Sequence, residues 1–162
     1  MILGQDPYAD GKATGLAFSV ENGSTPSLRS IYAALEADLQ CKAQRGGDLT
    51  PWTQDGVLLN TVLTVAPGDP NSHVVGGWWE RFTDSAIEVI NSQQDPVVFL
   101  LWGQRAWSKA RLVDPERHYV LPAAHPQARK GPRLPLSRCR HFSLANHLLE
   151  AHGRRSIRWE RA

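Results

Sequence analysis

Cysteine is scarce: Cys41 and Cys139 are the only two in 162 residues, and they lie far apart. A disulfide framework is therefore not expected, and a reducing, intracellular setting is. No apolar run is long enough to span a membrane, and the opening Met1-Ile2-Leu3-Gly4-Gln5-Asp6 is no signal peptide. The six histidines and two cysteines show no metal-ligand spacing, so no metal is expected. Internal repeats, low-complexity segments and linkers are missing too. What is there is a 41% hydrophobic chain, enough for the core of one domain of ordinary size, expected over residues 1–162.

Charge is unevenly placed. Residues 1–101 carry five Lys/Arg against twelve Asp/Glu, whereas residues 102–162 carry thirteen against four. The positive last third could meet phosphates, although solvated faces would look the same.

Short apolar runs alternate with amphipathic stretches, which predicts an α/β fold: a short, mainly parallel four-stranded sheet flanked by helices. Candidate strands are Met1–Gly4, Gly56–Asn60, Val97–Trp102 and His118–Pro122. The third is continuously apolar, as in a strand covered on both faces. Pro26 opens a helix after Ser24 or Thr25, with Leu28, Ile31, Tyr32, Leu35 and Leu39 on one stripe. Further helices are predicted over Trp78–Asn91, with Phe82, Ile87 and Ile90 inward, over Gln104–Arg111, and over His141–His152 closed by Gly153. Ligands of open α/β sheets bind beyond the carboxyl ends of the strands. There the four strands run into Gln5-Asp6-Pro7-Tyr8, Asn60-Thr61, Gly103-Gln104 and His125-Pro126. A carboxylate, an amide and an imidazole thus converge on one edge.

Each segment has a bland reading when taken alone. Gly4-Gln5-Asp6-Pro7-Tyr8 reads as a turn, with Gly4 permitting a tight departure from the strand and Asp6 accepting backbone N–H groups. Phe18 in Gly15–Val20 reads as core, and His125 in Ala123-Ala124-His125-Pro126 as structural. Asn60 inside the apolar run Gly56–Val65 is unusual, because a buried amide must be paired either by backbone or by a ligand.

Together and in this order, the segments resemble the uracil-DNA glycosylase family. Gly4–Tyr8 is similar to its water-activating segment, Gly15–Val20 to its uracil-stacking segment, and Val57–Val65 to its uracil-reading strand. Leu100-Leu101-Trp102-Gly103, His125-Pro126, Cys139-Arg140-His141-Phe142-Ser143 and the loop Pro26-Ser27-Leu28 extend the likeness over essentially the whole chain. The resemblance implies a DNA repair glycosylase that flips uracil out of single- or double-stranded DNA and hydrolyses its bond to the sugar, leaving an abasic site. It implies that Phe18 stacks on the base, Asn60 pairs with O4 and N3–H, and Tyr8 occupies the space beside C5. Gln5 would line the pocket through its backbone, Asp6 would stabilise the sugar cation and handle the water, and neutral His125 would hydrogen-bond O2. No cofactor is implied.

The DNA-facing loops depart from the family pattern. Ala9 stands where a histidine is usual and Gln104 where a serine is. The loop after His125-Pro126, normally Ser-Pro-Leu-Ser with a leucine wedged into the DNA stack, reads Gln127-Ala128-Arg129-Lys130-Gly131-Pro132-Arg133. Arg129 falls at the wedge position, with Leu136 an alternative. The stretch from His125 to Cys139 is about one residue longer than usual. Ser27, Gln104, Gln127, Arg129 and Lys130 are the expected DNA contacts. Relatives carry an N-terminal helical segment before the first motif, and here the first strand begins almost at Met1, so a domain without that segment is expected. The resemblance further implies a monomer in the cytoplasm, at the nucleoid in a prokaryote. It admits the family's proteinaceous inhibitor as a partner with altered affinity. Two other readings are a glycosylase for a broader set of damaged bases, which Asn60 and Tyr8 argue against, and a non-catalytic binder of uracil-containing or damaged DNA, which Asp6 and His125 argue against.

Overall fold

The computed structural model describes the chain apart from residues 63–64, 70–71, 73–77, 94, 129–130 and 162. Four short strands, β1 (Ile2–Gly4), β2 (Leu58–Asn60), β3 (Val98–Trp102) and β4 (Tyr119–Ala123), form a sheet in the order β2-β1-β3-β4. Every pairing is parallel: Gly4 is opposite Asn60, Leu3 opposite Leu101, and Trp102 opposite Ala123. The expected four-stranded α/β sheet is observed, each strand within two residues of its predicted bounds. Pro122 has no N–H to give, and it is tolerated because β4 is an edge strand.

The period of two divides the core between the faces of the sheet. Ile2, Leu58, Leu100 and Trp102 point to one side, where α1 (Pro26–Leu39) and α4 (His141–Ala151) pack together with Trp52 and Trp159. Leu3, Phe99 and Leu101 point to the other, against Ile87 of α2 (Trp78–Asn91) and Ala106 of α3 (Gln104–Ser108).

Local chemistry sets the helix ends. Pro26 fixes the first turn of α1, and Thr25 Oγ1 accepts the N–H of Leu28 at 3.2 Å. α4 begins after Arg140 without a cap of its own. Asp38, at the end of α1, serves instead: its carboxylate accepts the N–H groups of Phe142 and Ser143, each at 2.9 Å, and the Ser143 hydroxyl at 2.6 Å. Lys109 is buried, with Nζ 2.7 Å from Asp84 and 3.6 Å from Glu80, tying the turn after α3 to α2.

Two expectations are corrected. The helix predicted over Gln104–Arg111 keeps α-geometry only to Ser108 and tightens into a 3-10 turn over Lys109–Leu112. Phe82 is not inward but 62% exposed, since the buried stripe of α2 runs through Thr83 and Ile87, and Phe82 is one position off it. It rests edge-on against Trp79.

Candidate active site

In the sheet order, β1 connects outward to one side and β3 lies on the other, so a crevice opens at their carboxyl ends. A cavity of about 380 Å³ lies there. It is lined by Gln5, Asp6 and Tyr8 after β1, Asn60 at the end of β2, His125 after β4, Phe18 from the segment between β1 and α1, and Ser27 from the first turn of α1. The structure thus brings six expected catalytic and substrate residues, with Ser27, to one place. Gln104 lines an adjoining cavity of about 570 Å³ that shares Gln5 and His125.

Each wall is fixed by its backbone. Gly4 faces Asn60 across the β1–β2 pair, and a Cβ on Gly4 would overlap Asn60 Oδ1. The absence of a side chain at position 4 is therefore a matter of close approach, rather than the tight turn that the sequence suggested. The Gln5 carbonyl accepts Val62 N–H at 2.9 Å and Thr61 Oγ1–H at 2.8 Å, which ties the segment after β1 to the segment after β2. Its side chain turns to the site, Nε2 donating to Asp6 Oδ1 at 3.1 Å. Gly103 has φ +98°, and a Cβ on it would come within 3.1 Å of His125 Cβ. A side chain at position 103 would crowd the imidazole and strain the backbone.

Asn60 is 3% exposed, and among the described residues its side chain makes no hydrogen bond. Of the two ways of pairing it that the sequence left open, the described backbone supplies none. Phe18 has φ +65°, a costly conformation for a bulky residue, and its ring centroid lies 5.8 Å from Trp102 and 6.1 Å from His125. The Tyr8 hydroxyl is 3.0 Å from Thr25 Oγ1, and burial raises its pKa, so it stays a neutral phenol.

His125 stands at the rim. Gln127 N–H donates to its Nδ1 at 3.1 Å, which requires a lone pair there and leaves the proton of the neutral ring on Nε2. Desolvation holds its pKa below the ordinary histidine value, in favour of the same neutral form. Gln127 Nε2 donates to Ser30 Oγ at 2.9 Å, anchoring that turn to α1.

Sequence reasoning did not single out the supports of this site. Trp102 Nε1–H donates to His141 Nδ1 at 3.0 Å, both residues being buried, and Trp102 in turn backs Phe18. Thr61 holds Gln5, and Thr83 Oγ1 donates to the Thr61 carbonyl at 2.8 Å. The signals in the sequence were the position of Thr61 next to Asn60 and those of Trp102 and His141 inside segments that resemble the family's. Leu136, the alternative wedge, is 5% exposed and packs into the core beside α1, so it does not project toward DNA. Arg129 and Lys130 lie outside the described residues. Cys41 and Cys139 both carry free thiols. Among the described residues no helix is long and apolar enough to cross a membrane, and no group of three acidic, His or Cys side chains could hold a metal ion.

A parallel sheet with an amide, a carboxylate and a neutral imidazole over its carboxyl edge, facing an aromatic ring, defines an α/β site for a flat, polar ring. The chain belongs to the uracil DNA glycosylase superfamily, whose family model matches residues 1–150. It is 48% identical over 164 residues to the uracil-DNA glycosylase of Acinetobacter baylyi, an alignment covering 99% of this chain and 69% of the relative. It is 46% identical to uracil-DNA glycosylase 2 of Listeria innocua, over 99% of this chain and 72% of that one. In structure it is similar to the mimivirus uracil-DNA glycosylase, with a TM-score of 0.86 and 26% identity over 99% of this chain and 67% of that chain. A variant of the mimivirus protein was solved in complex with UGI and gives the same TM-score.

Proposed function

We propose that the chain excises uracil from DNA by hydrolysing the bond between the base and its sugar. The observation that carries this reading is the buried carboxamide of Asn60, unpaired within the described residues and lining a cavity with Phe18, Asp6 and His125. Once a base fills the cavity and excludes water, an amide left without a partner would be costly, so the bound base must pair it.

The base leaves the stack to reach the cavity. Phe18 stacks on it, and Asn60 donates to O4 and accepts from N3–H. Cytosine presents the reverse pattern on that edge and would leave both groups unpaired, which is how such a site rejects a near-isostere. Tyr8 fills the space at C5, where thymine has its methyl group.

The C1′–N1 bond then breaks, with its electron pair going to the base. Positive charge develops on the sugar and negative charge on uracil, delocalised to O2. Asp6 faces the sugar cation, orients the water that adds to C1′ and takes up its proton, while Gln5 Nε2 holds the carboxylate in place. His125 Nε2–H donates to O2, a hydrogen bond that strengthens as charge appears there. The backbone of Gln127 keeps the imidazole in the required tautomer. Ser27, Gln104 and the basic loop with Arg129 and Lys130 meet the phosphates, which makes binding weaken steeply with added salt. Counted along the sequence, Arg129 falls where relatives carry the wedge leucine. The protein works in the cytoplasm as a monomer without a cofactor, and UGI-type inhibitors are candidate partners.

Incubation with matched single-stranded oligonucleotides bearing one uracil, one cytosine or one thymine tests the reading. Release of free uracil alone is expected, and no release from any of them would overturn it.

A further inference from the structure

Beside the cavity for the flipped base lies a groove of about 410 Å³ on the far side of His125. Gly103, Gln104 and His125 wall both this groove and the larger cavity next to Gln5, so the groove is continuous with the site. Its outer wall is Trp107 on α3 and Arg133 from the loop between β4 and α4. Trp107 is 41% exposed, and the Arg133 guanidinium lies over its ring, with Cζ 3.9 Å from the centroid. Among the described residues Arg133 makes no ion pair, so its charge is available to a phosphate.

We propose that this groove binds a second, unexcised nucleobase: that of a nucleotide flanking the uracil, stacked on the indole of Trp107. This rests on the proposed function. Three observations favour a base over other occupants. The flat guanidinium on the indole marks where a planar π-surface finds a partner, and bases stack on aromatic rings irrespective of sequence. The groove shares His125 with the uracil cavity, as a neighbour on one strand requires. The surrounding last third of the chain carries thirteen Lys/Arg against four Asp/Glu, which suits a polyanion. On binding, the base takes the place of the guanidinium, and Arg133 turns to the adjacent phosphate. A flanking base is free to do this only when unpaired, so single-stranded DNA gains from the groove and duplex DNA does not.

The test is a cycle of two changes, read as dissociation constants for a single-stranded oligonucleotide carrying a non-cleavable deoxyuridine analogue. One change is Trp107→Ala. The other is removal of the flanking base from the DNA, on the 5′ side in one oligonucleotide and on the 3′ side in another. Trp107→Ala should weaken binding by about tenfold, the scale of one lost base stack. One of the two base removals should weaken the parent by a similar factor, and combining it with Trp107→Ala should cost little more. Trp107→Phe should restore most of the affinity, which separates stacking from damage to the fold. Affinity for Trp107→Ala within twofold of the parent, or losses that multiply when combined, would overturn the proposal. Neither result would touch the excision reading, which fails only if the parent releases no uracil.

Discussion

Gly4 and Asn60 face each other across the β1–β2 pair, and the carboxamide oxygen of Asn60 occupies the space where a side chain on Gly4 would begin. Position 4 thus sets the depth at which the amide proposed to read the base sits. Gly4→Ala should push Asn60 toward the cavity and lower kcat/KM on uracil DNA by about 100-fold, as misplacements near 1 Å do. Steady-state excision checks it, and a value within twofold of the parent would mean that Asn60 has room to spare.

The same geometry makes base choice reversible. Asn60→Asp should bring weak excision of cytosine, because a carboxylate or its protonated form can accept from the N4 amino group. Tyr8→Ala should bring weak excision of thymine by freeing the space at C5. Matched oligonucleotides differing in one base read both, and unchanged preference in both variants would contradict the pocket assignment.

His125 gives a pH signature. Its neutral form is the proposed donor to O2, and desolvation holds its pKa below the ordinary 6.5, so that form persists as pH falls through that value. Single-turnover excision should therefore hold steady from pH 8 to 6.5 and decline only below, when protonated Nδ1 loses the Gln127 N–H bond. His125→Ala should slow the chemical step by about 100-fold or more while leaving the binding of a non-cleavable analogue largely intact. Equal losses in rate and binding would point to a structural role.

His141 links pH to stability through Trp102. Burial lowers its pKa from 6.5 to about 4, and its neutral Nδ1 accepts the indole N–H. An unfolded chain takes up this proton first as pH falls, so stability is present above 6.5 and is lost progressively down to about 4. The shift corresponds to about 3 kcal/mol. The melting temperature of the parent should therefore fall more steeply with acid than that of His141→Leu, which starts lower because Trp102 loses its acceptor. Parallel slopes would contradict this.

The frame of the fold was legible because its strands are apolar runs ending in polar segments, and its first helix carries a cap, a proline and a stripe. Residues such as Asp6, Asn60 and His125 could be placed because they stand at or just beyond the carboxyl ends of those strands. What escaped depends on the third dimension. Nothing local marks Asp38 as the cap of a helix a hundred residues away, Lys109 as a buried cation, or His141 as the acceptor behind Phe18. The sequence shows the backbone freedom of Gly4, whereas its constraint in the fold is a neighbour on another strand. Hydrophobicity alone places Phe82 inward, whereas its angular offset from Thr83 and Ile87 turns it to solvent.

The central claim is that Asp6 drives hydrolysis in a uracil-reading pocket, and single-turnover excision by Asp6→Asn tests it most directly. An amide of the same shape keeps the pocket but cannot supply negative charge to the sugar cation. Binding of the uracil oligonucleotide should survive while the rate falls by orders of magnitude, each tenfold corresponding to about 1.4 kcal/mol of transition-state stabilisation. A rate within a few-fold of the parent would contradict the account.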